Sequence, residues 1–501
     1  MTLAIAIIVG TSADDSARYF ASAAINTTAA DTPASTHFAP RISKDASVTF
    51  KRAAGCVVWG SQSSESSIGA IDLANGDGGL DVLRTKTTRD RSVTIKRGQL
   101  GTNVSTWDTV ATAVLDRVEY PDEERCRLIL RDKAALLDKP VQDDVYASSG
   151  NSTLDGQPLP MSIGVAINVP CVLEDPANLD YDVHDTGSPT ILRVRDNGDI
   201  LTLTTNYTVS GYTITLQQQP VGVITADVNQ GDYLFDDFVE ELLVTRLGLS
   251  TSEVPNANLA GIDTAFGNWY GRWIYQGETY AQVMDELVAS FTGWWYFDRL
   301  GVIQIGYLTA PTGTSTHTFT EVNIGLDQVR IELDRAPGLS NTVLGRRNWR
   351  VHNENEIAGS LTSPTYTQTA YDLQQVYRHR KIGSGTLHST YSHANGPQSP
   401  TGALGALRPG VPAVVGLGTL IVTNDSGTDV QAEATRRVGL YTQQRWFCTF
   451  TGFVPDAYEI EPGDIVTLQI PRYGMDSGTK MMVVSIEGDF LTDEATIVGW
   501  F

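Results

Sequence analysis

Short segments in which apolar and polar residues alternate occur at both ends of this 501-residue chain, and they constrain its fold most. Alternation over four to eight residues predicts half-buried β-strands. The segments lie at residues 47–50, 93–96, 125–131, 464–470, 480–486 and 495–500. Turn-forming stretches such as Asn-Gly-Asp-Gly-Gly at 75–79 separate them, because glycine adopts positive φ at no steric cost. The sequence therefore predicts a mainly β fold. No 20–50-residue repeat is visible in the sequence, which counts against solenoids and propellers.

A few helices interrupt this pattern. Residues 235–243 and 280–291 place apolar residues at i, i+3, i+4, i+7 and i+8, the spacing of a helix with one buried stripe. Gly248 and Gly293 are expected to end these two helices, since glycine favours the position after a helix. A third helix is expected at about 429–444.

Changes in pattern divide the chain into five expected regions. An N-terminal β domain covers 1–148, and a small inserted β module covers 149–232, with hairpins around Asn197-Gly198 and within 207–216. A helix-plus-sheet domain follows at 233–350. A loop-rich arm region, poor in periodicity, is expected at 351–428, and a C-terminal β domain at 429–501. Because the module begins and ends in turn-rich sequence, it is expected to be a peripheral insertion that can be deleted.

The net charge of −22 argues against two classes of partner. Non-specific duplex binding needs a basic surface, and an anionic membrane repels an acidic protein. No stretch approaches 18 consecutive apolar residues, so no membrane span is expected. The first ten residues lack a basic start and are interpreted as a β-strand, not a signal peptide. The four cysteines have no C-x-x-C spacing, which argues against a zinc or iron–sulfur site.

Catalytic and metal-binding motifs are missing from the sequence. It contains no phosphate-binding G-x-x-x-x-G-K-[ST], no G-x-S-x-G and no H-E-x-x-H pattern. The seven histidines are scattered, and the pair His388 and His393 is expected to lie in a solvated loop. Residues 72–81 suggest a calcium loop, but counting from Asn75 or from Asp77 puts no acid at position 12. We therefore expect no enzymatic activity, no cofactor and no metal.

A cluster of tryptophans leaves two interpretations open. Trp269, Trp273, Trp294 and Trp295 fall within 27 residues. Aromatic residues in this density form the core beside a helix or a subunit contact, and they also form the platforms on which sugar rings stack. Core packing or a subunit contact is the favoured interpretation, and glycan contact is the alternative.

Several stretches resemble the tail-tip proteins of long-tailed bacteriophages and prophages. In the N-terminal half the resemblance lies in residues 71–81, in 130–140, and in 158–170 with its prolines and glycine. In the C-terminal half, the Ala/Arg-rich segment 432–437 leads into a strand and then into the turn Glu-Pro-Gly-Asp at 461–464, as in the hub module of the same machines. The resemblance covers about 300 residues by comparison of these motifs. It does not extend to 352–428.

This resemblance implies a structural protein of the virion, a tail hub or baseplate hub. Such a protein is similar to two tail-tube-like β-barrels in one chain and forms a ring. A homotrimer, with a homohexamer as the alternative, would join the tail tube and distal tail protein to the tape measure protein and the central tip or fibre. It would assemble in the host bacterial cytoplasm. A receptor- or carbohydrate-binding tail protein and a cell-wall hydrolase of the tail tip are the other hypotheses.

The acidic balance suits a channel that conducts DNA, because fixed negative charge repels phosphate. We expect Asp77, Asp81, Asp143 and Asp144 to be the best candidates for lining such a channel. The acids around the first helix are instead expected to stabilise its N-terminus. The simpler alternative is that the charge only keeps the protein soluble.

Overall fold

The computed structural model describes residues 3–42, 48–56, 64–147, 149–197, 199–267, 270–275, 277–325, 328–334, 342–344, 388–390, 436, 440, 445–454, 459–489 and 494–501. Strands predominate among these residues, the α-helices of five or more residues lie in the middle of the chain, and short 3-10 helices lie nearer its start at Asp81–Thr85, Val104–Thr106 and Lys133–Asp138. The prediction of a mainly β fold with a few helices is confirmed. The arm region is described only at 388–390, and most of the expected third helix lies outside the described residues.

The described residues among the first 131 form ten strands. Eight of these strands make one sheet, and the other two form a hairpin outside it. The ten strands are β1 (Leu3–Val9), β2 (Arg18–Ala21), β3 (Ile25–Asn26), β4 (His37–Pro40), β5 (Thr49–Ala53), β6 (Glu65–Ile68), β7 (Ile71–Ala74), β8 (Ser92–Gln99), β9 (Asp108–Asp122) and β10 (Arg125–Arg131). The sheet runs in the order β3-β4-β2-β1-β8-β9-β10-β7, and β5 and β6 form the hairpin that leaves it.

This sheet closes on itself just after β4. The N–H of Ile42 donates to the carbonyl of Ala21 on β2 at 3.1 Å, and the N–H of Ala74 on β7 donates to the carbonyl of Arg41 at 2.7 Å. Ile42 also bridges Leu73 of β7. Closure gives a β-barrel, in which alternate side chains of each strand point inward and fill the core.

The next region forms two small sheets around a core of its own. Its strands are β11 (Met161–Pro170), β12 (Val172–Asp175), β13 (Asp180–Asp182), β14 (Thr190–Asp196), β15 (Asp199–Ile200), β16 (Tyr207–Ser210), β17 (Thr213–Leu216) and β18 (Ile224–Asn229). Both predicted hairpins are present, as the pairs β14–β15 and β16–β17. Asn197 adopts a φ of 51°, the left-handed conformation that the first hairpin turn requires.

In the middle of the chain the described residues form three α-helices and three strands. They are α1 (Phe235–Val239), which continues as a π-helix over Glu240–Arg246, α2 (Asn256–Phe266), β19 (Gly271–Ile274), α3 (Tyr280–Ala289), β20 (Gly293–Phe297) and β21 (Ile303–Tyr307). Both predicted helices are confirmed. The end of α3 differs from the prediction, because Thr292 takes the left-handed φ of 54° and Gly293 already belongs to β20. The helix α2 is not predicted by the sequence, since only Leu259 and Ile262 are buried along it.

Strand β11 connects the small module to this helical layer. Its first half, Met161–Gly164, pairs with β19, while its second half pairs with β18 of the module. Met161 and Ile163 are buried in the core of the helical layer. The module therefore shares a strand with the rest of the protein, because β11 lies within the expected range 149–232 and pairs with β19 outside it.

The described residues of the C-terminal region form eight strands. They are β22 (His317–Thr320), β23 (Arg330–Leu333), β24 (Thr342–Leu344), β25 (His388–Thr390), β26 (Trp446–Phe453), β27 (Ile465–Gln469), β28 (Thr479–Asp489) and β29 (Glu494–Trp500). Six of them form a sheet in the order β22-β27-β28-β29-β26-β23. This sheet also closes after its first strand, because Ile324 bridges Gly452 and the N–H of Phe453 donates to the carbonyl of Asn323 at 3.0 Å.

The two ends of the chain pack together. The hairpin β5–β6 extends the C-terminal sheet, with β5 antiparallel to residues 485–489 of β28. One core cluster contains inward-facing residues of both barrels, such as Ile7 and Val93 from the first and Val466 and Ile497 from the second. The N-terminal and C-terminal barrels, which are far apart in the sequence, thus form one packed unit.

Candidate functional site

Both barrels contain the same four-strand unit. In chain order the first unit is β7, β8, β9 and β10, and the second is β26, β27, β28 and β29. In space the units run β8-β9-β10-β7 and β27-β28-β29-β26, so in each the earliest strand lies beside the last one. All three pairings within each unit are antiparallel.

The first unit has three distinctive backbone features. Asp90, just before β8, adopts a positive φ of 65°. Its N–H donates to the carbonyl of Leu115 on β9, and the N–H of Leu115 donates to the carbonyl of Arg91, both at 2.8 Å. Immediately afterwards the register between β9 and β10 shifts at Asp116, which has no partner residue in the ladder. This shift is a β-bulge, a feature that bends a strand.

The second unit repeats these features residue for residue. Gly463, just before β27, has a φ of 102°. Its N–H donates to the carbonyl of Val483 on β28, and the N–H of Val483 donates to the carbonyl of Asp464, again both at 2.8 Å. The register between β28 and β29 then shifts at Val484. Leu115 thus corresponds to Val483, and Asp116 to Val484.

The same correspondence extends to barrel closure. Leu73 on β7 and Gly452 on β26 hold equivalent places, because they pair with the equivalent residues Cys126 and Ala495. Leu73 is bridged by Ile42 and Gly452 by Ile324, in each case the residue that closes the barrel. Five independent features therefore coincide, and the protein contains an internal structural duplication.

The interiors of the two units each pair a large side chain with a small one, at exchanged positions. Ala113 and Leu130 lie inside the first unit, and the equivalent residues of the second are Met481 and Gly499. A Cβ atom on Gly499 would lie 2.4 Å from the Sδ atom of Met481. A large side chain on one strand thus requires a small one on its neighbour, in opposite order in the two barrels.

The units differ at one edge. Beyond Val483, the side of β28 that faces β27 continues with β5, which pairs with residues 485–489. Beyond Leu115, no strand among the described residues pairs with the equivalent side of β9. We call the segment 116–122 the β9 edge.

A buried ion pair holds β5 at the second barrel. The Arg52 side chain is 3% exposed and bonds the carboxylate of Glu461 in the turn before β27. The guanidinium of Arg52 also lies 4.8 Å from the ring centre of Phe50, within the range of a cation–π contact. Burial raises the pKa of Glu461, and the charge of Arg52 opposes this shift. The covered edge is therefore fixed by charge as well as by backbone pairing.

The tryptophans do not form one cluster. Trp273 packs in the module core, Trp295 in the helical core, and Trp294 in a third core between β20 and the second barrel. Their exposure is 7%, 7% and 1%. The indole N–H of Trp295 donates to Asp285 at 2.8 Å. Burial supports the core-packing interpretation for these three, and it leaves them no surface for a sugar ring; Trp269 lies outside the described residues.

The four candidate channel acids lie at the surface in two places. Asp77 accepts two hydrogen bonds from the Arg41 guanidinium, at 2.8 and 2.7 Å, and these lower its pKa. Asp81 accepts a hydrogen bond from Asn75 at 2.8 Å and borders a cleft of about 550 Å³ near Asp122 at the end of β9. Asp143 and Asp144 are exposed in the segment before β11. The structure does not bring the two pairs together, and Arg41 neutralises Asp77.

One buried cluster has the residue types of a catalytic triad. His184 lies 3.3 Å from the hydroxyl of Ser162 and 3.2 Å from the carboxylate of Asp185. However, the backbone N–H of Ser162 already donates to the Nδ1 atom at 2.9 Å, and Ser162 and His184 are only 1% and 2% exposed. Burial lowers the pKa of His184. The cluster therefore joins β11 to the module, and a substrate cannot reach it.

Within the described part of the chain, no group of three or more histidine, cysteine, aspartate or glutamate side chains is placed to hold a metal ion. None of the helices found there has the length and apolar character of a membrane span.

Sequence comparisons give no relatives, but structural comparisons do. No protein-family profile and no curated protein sequence matches the chain. A 43 kDa tail protein of prophage MuSo2 from Shewanella oneidensis matches with 11% identity and a TM-score of 0.37, over 99% of this chain and 96% of that one. A tail protein from Neisseria meningitidis MC58 matches with 10% identity and a TM-score of 0.38, over 100% and 96%. A chain from the virion of a native gene transfer agent particle matches with 11% identity and a TM-score of 0.38, over 73% and 91%.

These matched structures are tail and virion proteins, the class of protein that the sequence resembles.

Proposed function

We propose that this chain is a structural protein of a phage-type tail, a hub that forms a ring at the distal end of the tail tube. The observation that supports this proposal is the internal duplication of the barrel unit. A chain with two equivalent barrels presents its neighbours with two similar surfaces in succession. It is therefore suited to a ring in which barrels, and not chains, are the repeating element.

Three copies of such a chain provide six barrels. A closed ring requires a rotation that returns to its starting point, and six similar barrels can match a six-fold tube on one face while three chains match a three-fold tip on the other. We therefore propose a homotrimer, with a homohexamer of twelve barrels as the alternative. Its partners are the tail tube and distal tail protein on one side, and the tape measure protein and central tip or fibre on the other.

In this proposal the ring encloses the channel through which DNA leaves the virion. A surplus of carboxylates along the wall keeps phosphate from binding, whereas each inward lysine or arginine would hold it. Asp81, Asp143 and Asp144 remain the candidates for such a wall. Asp77 contributes less, because its charge is paired with Arg41.

Mass photometry and negative-stain images of the purified chain test the proposed function together. A particle of three times 54.3 kDa with a central hole is the expected result. A stable monomer at micromolar concentration would contradict the ring. Sustained turnover of peptidoglycan, lost when one acidic residue is changed, would contradict the structural role.

A further inference from the structure

The covered edge of β28 shows how one barrel accepts a strand. The carbonyl of Val484, the bulge residue, accepts a hydrogen bond from the N–H of Ala54 at 2.8 Å. From there β5 pairs along β28 with Glu487 opposite Lys51. The bulge thus marks the point where β28 leaves β27 and begins to pair with the hairpin β5–β6.

The β9 edge is built in the same way, but no strand among the described residues pairs with it. Asp116 is its bulge residue, equivalent to Val484, and Glu119 is equivalent to Glu487. The edge is half-buried to exposed, and Pro121 lies near its end, where the missing N–H is tolerated because edge strands need not donate on both sides. An open strand edge of this kind is a template for strand addition.

The duplication indicates which segment fits this edge. In the first unit, the hairpin β5–β6 lies in the chain between the closing residue Ile42 and β7. In the second unit, β23 and the pair β24–β25 lie between the closing residue Ile324 and β26, the equivalent place in the chain, and β23 pairs with β26 itself. Among the described residues, β24 and β25 pair only with each other.

The direction in which each hairpin extends indicates whether its partner unit belongs to the same chain or to a neighbouring copy. The hairpin β5–β6 runs forward, from the first unit to the second unit of its own chain. If β24–β25 extends from the second unit in the same direction, it reaches a first unit. In a ring of alternating units, that first unit belongs to the next copy.

Charge favours the same pairing. Residues 116–124, which comprise the β9 edge and the turn after it, contain five acidic residues and one basic residue. Residues 345–387, which join β24 to β25, contain six lysines and arginines and three acidic residues, in a chain with 58 acids and 36 bases. Opposite charges at an interface steer association and fix its register.

We propose that the β9 edge binds the strand pair β24–β25 of a second copy of this chain by strand addition. The contact is head-to-tail and is repeated around the ring. It rests on the proposed ring function, and it assigns to that ring a defined interface between copies.

Cysteine cross-linking between two differently tagged copies tests the interface. One copy carries Glu119→Cys and the other carries Ser389→Cys in β25, and the two are assembled together and oxidised gently. The matched control places Glu487→Cys, the equivalent residue on the covered edge of β28, in the first copy. We expect a disulfide-linked pair of tagged chains with Glu119→Cys, and at least tenfold less of it with Glu487→Cys.

The outcomes separate this inference from the proposed function. A ring of normal mass without the cross-link, or with equal cross-linking at both positions, would overturn the interface and leave the ring intact. A chain that stays monomeric would overturn both.

Charge reversal gives a second measurement that needs no disulfide geometry. The double variant Glu119→Lys and Asp122→Lys is expected to raise the concentration at which the ring dissociates at least tenfold. Asp199→Lys, an exposed change in the module, is expected to leave that concentration unchanged. An unaltered ring in the double variant would count against the interface.

Discussion

The two barrels share a backbone plan and differ in what surrounds it. Both units place a positive-φ residue before the second strand, a bulge in the third strand and a single closing residue beside the first. The first barrel, however, inserts the hairpin β1–β2 between β4 and β8, whereas in the second barrel β22 pairs directly with β27. Backbone hydrogen bonding therefore preserves the unit, while the strands around it vary.

The edges show where the difference matters. The second barrel has its β28 edge covered from within the chain, and the first barrel presents the equivalent edge of β9 without a strand among the described residues. A lone domain gains from covering both edges, because open edges promote association. One covered and one open edge are what a repeating, head-to-tail assembly needs.

Deleting part or all of the module is expected to show how far the barrels depend on it. Removing 172–223 and joining Cys171 to Ile224 by two glycines should leave a folded protein, because the carbonyl of Ile224 already accepts a hydrogen bond from the N–H of Cys171. Removing all of 149–232 should abolish soluble expression, since it takes away β11 and leaves the edge of β19 without its partner strand. Near-ultraviolet circular dichroism and thermal unfolding of both variants would check this. A folded, soluble protein from both deletions would show that the barrels do not depend on β11.

The covered edge can be released by removing its buried charge. Arg52→Ala is expected to lower the free energy of unfolding by about 3–5 kcal/mol at pH 7, because Glu461 is left buried without its partner. The pKa of Glu461 is already raised by burial, so the variant's penalty should shrink as the pH falls and the carboxyl takes up a proton. Denaturant unfolding at pH 7 and pH 5 measures both effects.

The exposed neighbour of Arg52 provides the control for this variant. Lys51 bonds Glu65 at 2.6 Å, but both side chains are largely open to solvent. Lys51→Ala should therefore cost less than about 1 kcal/mol at either pH. Equal losses in the two variants would contradict the buried ion pair as the anchor of β5.

The large and small side chains inside the second barrel can be exchanged to match their arrangement in the first barrel. Gly499→Leu should cost about 1–3 kcal/mol by overpacking, since its Cβ meets Met481. Met481→Ala should cost about 2–5 kcal/mol by opening a cavity. The double variant reproduces the pair Ala113 and Leu130 of the first barrel, and we expect it to lose at least 1 kcal/mol less than the sum of the singles. Strict additivity in denaturant unfolding would contradict the equivalence.

A further difference between the barrels concerns the residue that ends each unit. Asp132 follows β10, whereas Phe501 occupies the equivalent place after β29, and burial raises the pKa of Asp132 to about 6. A raised carboxyl pKa stabilises the fold at acid pH, and this contribution is lost as the pH rises through about 6. Asp132→Asn should therefore raise the free energy of unfolding by about 1–3 kcal/mol at pH 7.5, with little difference from the natural chain at pH 4. A difference that is independent of pH would contradict this account.

Most strands could be predicted from the sequence because their periodicity is local. Residues 93–95 and 466–468 read Val-Thr-Ile and Val-Thr-Leu, and both prove to be the second strand of a unit. This short likeness is the one sequence signal of the duplication. The rest of the unit lies in backbone geometry, such as the bulges at Asp116 and Val484, which side chains of different size and polarity can accommodate.

Long-range packing could not be predicted in the same way. The pairing of β5 with β28 joins residues more than 400 positions apart, and no local pattern indicates it. The tryptophans that lie near one another in the sequence are divided among three cores, because Trp294 and Trp295 face opposite sides of β20. Proximity along a chain is a poor guide to proximity in a sheet, whose neighbouring residues alternate sides.

A cryo-electron microscopy reconstruction of the assembled ring would show whether barrels or whole chains are its repeating element. We expect three chains whose six barrels are related by near-six-fold rotation, so that the units containing Leu115 and Val483 superpose after a turn of about one sixth. A ring in which only one barrel of each chain lines the channel, or in which six chains are related by true six-fold symmetry, would contradict this expectation.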